Sequence, residues 1–252
     1  MFGRIKAFFY RKTLDSTSRR KIEKIELIIG KKVKNPALYL KALRHRSFVA
    51  ERKLSDSDSY EQLEFLGDAV LDLIVSEIIY HDYPSRNEGF MTQLRAKVVK
   101  GENLAYLAKR LQMGELIEIG KRVQNQGIRE SESVLADTFE AITGAVYIDL
   151  GYEVCTEFVN AVLSRFIDFD ELIKSKDNYK SILLEYAQSQ KYNIPNYEVI
   201  KESGPGHDKT FSVQVTVADR VIGNGMGKNK KKAEQAAAME ALHKLKRLDE
   251  SR

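Results

Sequence analysis

Between residues 21 and 173 apolar side chains return every three to four positions, the spacing that lines one face of an α-helix, and Pro36 and Pro84 are the only prolines in that stretch. The pattern predicts a mainly helical domain. It breaks near Lys34-Asn35-Pro36 and over residues 55–59, 83–89 and 124–132, while Gly30, Gly101 and Gly151 stand where caps or turns are expected. A polar stretch at 174–178 reads as a linker. Beyond it the texture changes. An amphipathic helix over 179–190 precedes segments at 197–200 and 211–217 that alternate with period two, the signature of half-buried strands. A third strand is expected over 220–225 and a closing helix over 230–248. The predicted organisation is a basic lead-in (1–20), a mainly α domain (21–173), a linker (174–178) and a small α+β module of order αβββα (179–248).

Composition narrows the function classes. An apolar fraction of 43% over 252 residues is enough for a buried core. The most hydrophobic run, 70–80, is interrupted by Asp72, Ser76 and Glu77, well short of the roughly 18 uninterrupted apolar residues that span a bilayer. A membrane partner is not expected. A single cysteine, Cys155, allows neither an internal disulfide nor a Cys-rich zinc site, which implies a reducing compartment. The opening MFGRIKAFFYRK lacks a long apolar core and a small-residue cleavage site, so no secretory signal is expected and a cytoplasmic location is.

Charge is unevenly placed. Residues 1–50 carry 14 Lys/Arg against 3 Asp/Glu, residues 51–176 carry 14 against 23, and residues 177–252 carry 13 against 10. A basic arm and a basic tail flank an acidic body, an asymmetry that suits a polyanionic partner. Carboxylates near a polyanion repel it unless a cation lies between, although a solvated acidic surface would have the same composition.

The segment Glu61-Gln62-Leu63-Glu64-Phe65-Leu66-Gly67-Asp68-Ala69-Val70-Leu71 carries the candidate chemistry. At about 100° per residue, with Glu61 at zero, Glu64 falls at about 300° and Asp68 at about 340°, while Leu63, Leu66 and Val70 fall between about 140° and 200°. Three carboxylates thus share one face opposite an apolar one, an arrangement that costs a helix a few tenths of a kcal/mol per like-charge pair. Asp137 and Glu140 repeat the i,i+3 spacing on a second predicted helix, and two helices could aim their carboxylates at one point. Hard oxygen donors without histidine suit Mg²⁺ or Mn²⁺, ions that clamp phosphate and activate water; a solvated helix face remains the alternative. Phe65 lies beside the carboxylates at about 40°, which fits either a partner surface or burial in the core. Gly67, costly in a helix interior, hints at close backbone approach. His45 and His81 are read as structural, and Cys155 as core.

These residues closely resemble the signature of the ribonuclease III family. Leu135-Ala136-Asp137-Thr138-Phe139-Glu140-Ala141 resembles its second acidic motif, and His45-Arg46-Ser47-Phe48, Glu88-Gly89 and Leu94-Arg95-Ala96-Lys97-Val98-Val99 are similar to its connecting features. Gln62 departs from the signature, where Arg is common. The resemblance implies a metal cluster of Glu64, Asp68, Asp137 and Glu140, with Asp68 and Glu140 indispensable for catalysis and Glu61 supporting the site or the subunit interface. Glu88 is either a contribution to a partner subunit's site or a loop residue. It further implies Mg²⁺ as cofactor, with Mn²⁺ as a substitute, in-line attack of hydroxide on a phosphodiester, 5′-phosphate products with short 3′ overhangs, and a homodimer that places Phe65 at its interface.

In the tail, the glycines of 223–227 read as a flexible lead into Lys228, Lys230, Lys231 and Lys232 at a helix start, where backbone N–H groups and the helix dipole favour phosphate. With the αβββα order and the Gly204-Pro205-Gly206-His207 loop, this resembles a double-stranded-RNA-binding domain, a fold that reads A-form shape rather than sequence. The resemblance implies that Lys228, Lys230 and Lys231 meet phosphates, that His207 and the backbone from Gly204 enter one minor groove, and that Glu185 touches the next; Leu184 stands where Gln is frequent. No Gly-Lys-Ser/Thr follows the glycines, so no nucleotide cofactor is expected. The reading is an endoribonuclease of duplex RNA that processes rRNA and other structured precursors. A non-catalytic RNA-binding protein on the same fold and a DNA nuclease are the rivals; the retained carboxylates speak against the first and the A-form reader against the second.

Overall fold

The computed structural model describes residues 14–174, 179–204 and 209–249. The chain divides into two compact units, Met1–Leu172 and Ile173–Arg252.

The first unit is helical. Helix α1 (Ser16–Ile29) opens within the stretch expected to be lead-in, because the Asp15 side chain caps it, its Oδ1 accepting from the Ser18 N–H at 2.9 Å. Gly30 closes it at φ 73°, its N–H donating to the Glu26 carbonyl. Then follow α2 (Pro36–Ala42), with proline in its first turn, and α3 (Arg46–Glu51), α4 (Glu61–Asp82), α5 (Glu88–Val98) and α6 (Gly101–Arg110). Short 3₁₀ turns at Met113–Leu116, Lys121–Val123 and Ile128–Glu130 lead into α7 (Glu132–Leu150), α8 (Tyr152–Phe166) and α9 (Phe169–Lys174).

Helix α7 is central. Its residues Phe139, Ala141, Ile142, Ala145 and Val146 are fully buried, packed among Leu71, Ile74, Val75 and Ile79 of α4, Leu104 and Leu107 of α6, and Phe158 of α8. Burying so much of one helix all round is what a low-polarity run with only two carboxylates in its middle can do. Cys155 sits in this core, its Sγ donating to the Thr143 carbonyl at 3.5 Å, and burial pushes its thiol up to about 12. That is an unreactive packing cysteine.

The second unit comprises α10 (Tyr179–Ser189), strands β1 (Asn196–Ser203), β2 (Thr210–Val217) and β3 (Arg220–Gly227), and α11 (Lys230–Asp249), the sheet antiparallel in the order β1-β2-β3. Val213 and Val215 of β2 pair with Gly225 and Gly223 of β3 and with Val199 and Tyr197 of β1. This face of the sheet packs on Ala233, Ala237, Ala238 and Ala241 of α11 and Leu183 of α10. The expectation of flexible glycines ahead of the lysines is overturned here. Gly223, Gly225 and Gly227 belong to β3, which runs two residues further than its sequence pattern implied, and they face α11 so closely that a β-carbon at Gly225 would strike the Ala233 carbonyl and the Ala237 N–H.

Candidate metal centre and nucleic-acid interface

Helices α4 and α7 cross where two glycines meet. A β-carbon on Gly67 would strike the Glu140 carbonyl oxygen and lie 2.9 Å from the Gly144 nitrogen; one on Gly144 would strike the Leu63 carbonyl oxygen and lie 3.1 Å from the Gly67 nitrogen. No larger residue fits either position, so the price of glycine in a helix is met by backbone contact. The carboxylates beside the crossing converge as a result. Glu64 on α4 and Asp137 and Glu140 on α7 each offer an oxygen, and these oxygens lie within 4.8 Å of one another. Asp68 and Glu61, on the same helix as Glu64, are exposed at the rim.

The electrostatics of the cluster are those of like charges partly withdrawn from water. Burial, then the charges of Asp68, Asp137, Glu64 and Asp72, push Glu140 up to about 8. Burial and Asp137, Glu61 and Asp68 push Glu64 up to about 7. Asp137 is raised by burial and drawn back by the Tyr60 hydroxyl, which donates to its Oδ2 at 3.1 Å. Like charges crowded in this way favour a cation among them, a proton or a metal ion. The donor set is carboxylate oxygen throughout, which fits a hard divalent ion, with Glu64, Asp137 and Glu140 placed to hold it and Asp68 at its edge.

The surroundings explain several neighbouring residues. His45 is a cap: its Nδ1 accepts from the Ser47 N–H at 3.2 Å and lies 2.8 Å from Ser47 Oγ, which in turn accepts from the Gly120 N–H at 3.0 Å. The His-Arg-Ser motif thus ties α3 to the loop before α7. Gln62 faces away from the cluster and accepts from Lys41 Nζ at 2.8 Å. Tyr60, which sequence reasoning passed over, is buried at 4% exposure beneath the site, its ring 6.0 Å from that of His45. Its signal was faint, an aromatic at a helix start.

Phe65 is 81% exposed on the carboxylate-bearing helix, which removes core burial as its role. Glu88 opens α5, its Oε1 accepting from Thr92 Oγ1 at 2.9 Å. In the second unit Glu185, Lys228, Lys230 and Lys231 are exposed and Gly204 follows β1 at φ 97°; His207 lies outside the described residues. Asn229 caps α11, its Oδ1 accepting from the Lys232 N–H at 2.8 Å. Lys230 stands 3.9 Å from Glu202 Oε1, with its ammonium 5.9 Å from the centre of the Phe211 ring.

A helical unit with a carboxylate cluster that could hold a metal ion is followed by an αβββα module with lysines at a helix start. Comparison with known proteins gives the class. Residues 35–166 match the model of the ribonuclease-III-like family, and residues 179–245 match the double-stranded RNA binding motif. Ribonuclease 3 of Chlorobaculum tepidum is 42% identical over 213 residues, 84% of this chain and 78% of that one, and ribonuclease 3 of Bacillus licheniformis is 38% identical over 239 residues, 95% of this chain and 96% of that one. A solved structure of the ribonuclease III nuclease domain from Campylobacter jejuni, described with structural flexibility in a region involved in dimer formation, is 35% identical at a TM-score of 0.54 and covers 58% of this chain and 98% of that one. The chain belongs to the ribonuclease III family of endoribonucleases, with a double-stranded RNA binding motif behind its nuclease domain.

Proposed function

We propose that this chain is a Mg²⁺-dependent endonuclease of duplex RNA, in which Glu64, Asp68, Asp137 and Glu140 form the metal centre and the second unit holds the substrate. The observation that carries the reading is the convergence of Glu64, Asp137 and Glu140 at one point, in a chain that also carries a double-stranded RNA binding motif. When bound, the divalent ion would neutralise the scissile phosphate and activate water for in-line attack. The water oxygen bonds to phosphorus, the bond from phosphorus to the 3′-oxygen breaks, and the products carry a 5′-phosphate and a 3′-hydroxyl. Asp68 and Glu140 are the residues whose loss abolishes this step, and Glu61 supports the cluster from the rim. Lys228, Lys230 and Lys231 meet backbone phosphates, while Glu185, Gly204 and His207 reach the minor grooves. Exposure of Phe65 beside the cluster favours a homodimer whose two centres each cut one strand and leave short 3′ overhangs. The cellular role that follows is processing of rRNA and other structured RNA precursors in the cytoplasm; among the described residues no helix is long and apolar enough to cross a membrane.

The test is cleavage of duplex RNA and of duplex DNA of the same sequence, with Mg²⁺ and with EDTA. RNA alone should be cut, in Mg²⁺ alone, with recovery in Mn²⁺. Undiminished cutting in EDTA would remove the metal assignment, and equal cutting of DNA would remove the substrate class. Sedimentation of Phe65→Glu should show a shift toward monomer; a variant that sediments and cuts like the parent chain would take Phe65 out of the interface.

A further inference from the structure

The three converging carboxylates are not held alike. Among the described residues Tyr60 is the side chain that donates a hydrogen bond to Asp137, and none donates to Glu64 or Glu140. Asp137 is therefore the fixed point of the cluster, and the other two carboxylates keep their freedom to turn onto an arriving cation. Tyr60 is itself immobilised from several sides. Its ring is buried against His45, its N–H donates to the Arg44 carbonyl at 3.0 Å, and its own carbonyl accepts from the N–H groups of Leu63 and Glu64 at 2.8 Å and 2.9 Å. One residue thus opens the helix that bears Glu64 through its backbone and grips the helix that bears Asp137 through its hydroxyl. A hydroxyl on a rigid ring can hold a carboxylate in one orientation, whereas a flexible donor would lose that hold to side-chain entropy.

We infer that Tyr60 is a positioning residue for the metal centre: its hydroxyl fixes the Asp137 carboxylate in the orientation that meets Glu64 and Glu140. This rests on the metal site proposed above. Partners that orient a metal's ligands typically contribute a factor of about 10–100 to affinity without touching the ion. Tyr60→Phe removes the hydroxyl and keeps the ring that fills the site beneath α4.

The experiment uses the full chain without RNA, titrated with Mn²⁺ by calorimetry, and follows the rise in unfolding temperature that Mn²⁺ produces. Tyr60→Phe should bind Mn²⁺ about tenfold more weakly than the parent chain. In an Asp137→Ala background, which leaves the Tyr60 hydroxyl no side chain to hold, the same change should make no further difference to the Mn²⁺-induced temperature rise, a readout that registers weak binding. In cleavage, the half-saturating Mg²⁺ concentration should rise by a similar factor while the rate at saturating Mg²⁺ stays within about threefold. Unchanged Mn²⁺ affinity in Tyr60→Phe overturns the inference. So does an equal loss in the Asp137→Ala background, which would make the hydroxyl's role one of general packing. A parent chain that binds no Mn²⁺ overturns the metal site itself, and does so before any variant is compared.

Discussion

At the α4–α7 crossing, Gly67 and Gly144 let two helix backbones touch; in the second unit, Gly223, Gly225 and Gly227 let β3 lie against the alanine face of α11. The same device positions opposite chemistry. In the first unit the contact draws carboxylates from two helices into a half-buried cluster, where burial and mutual repulsion push Glu64 up to about 7 and Glu140 up to about 8. In the second unit the contact is between backbone and alanine methyl groups and gathers no charged group, and Lys228, Lys230 and Lys231 are left exposed at the start of the helix. Under the proposed function, the difference follows from the ligands each would meet. A small divalent ion is held only by several oxygens at fixed short distances, so its site must be preorganised and partly dry. Phosphates spread along a duplex are met by long cations acting in water, where exact placement matters less than charge.

The largest expected effect breaks the two regions apart. Glu140→Ala should reduce cleavage by roughly a thousandfold or more while leaving duplex RNA binding within about twofold, because it removes a proposed metal ligand and touches no cation of the second unit. Parallel loss of binding in a filter or mobility assay would mean that the acidic centre also holds the RNA.

Next come the glycines. Gly67→Ala and Gly225→Ala each force a β-carbon into backbone atoms, which should destabilise the affected unit by about 3 kcal/mol. Read in the full chain, Gly67→Ala should lose Mn²⁺ binding and keep RNA binding, and Gly225→Ala should do the reverse. A Gly67→Ala chain with normal Mn²⁺ affinity would show that the crossing does not set the cluster.

Lys230→Ala with Lys231→Ala should weaken RNA binding by about tenfold near physiological salt, flatten its salt dependence by roughly the two contacts removed, and let cleavage recover in part at low salt. Equal losses at every salt concentration would point to a packing defect instead of lost phosphate contacts.

The smallest effect concerns pH. Glu140 titrates at about 8 in the folded chain against 4.5 unperturbed, so between those values the folded state holds a proton that the unfolded state has released. Stability of the metal-free chain should therefore fall as pH rises through that window and level off above it, by a few degrees of unfolding temperature once solvent screening is allowed for. Mn²⁺ should restore more stability near pH 9 than near pH 5, since the ion displaces the proton. A flat profile in EDTA would show that the carboxylates are better solvated than their burial implies.

How much of this is legible before folding depends on the range of the interaction. Glu61, Glu64 and Asp68 share a face because helix geometry places them there, and Gly67 among them already signals a close approach. Phe65 leaves two readings open, and only its 81% exposure in the fold decides between them. The glycine run at 223–227 is legible only in part: a strand is expected as far as residue 225, but a row of glycines before lysines also suggests flexibility, until pairing with Phe211, Val213 and Val215 fixes it in the sheet as far as Gly227. His45 is read as structural from the sequence, and the fold shows which structure it serves, the cap of α3.

The amino-acid sequence by itself determined the helical first unit, the αβββα order of the second, the carboxylate pairs on their helix faces and the lysines at a helix start, because each is a matter of periodicity or composition within a few turns. Tertiary structure alone decided that Glu64, Asp137 and Glu140 converge while Asp68 and Glu61 stand at the rim, that Gly144 answers Gly67, and that Tyr60 grips Asp137 across 77 residues of chain. Periodicity states which way a side chain faces on its own helix; where two helices meet, and at what distance, is set by packing between residues that the chain keeps far apart.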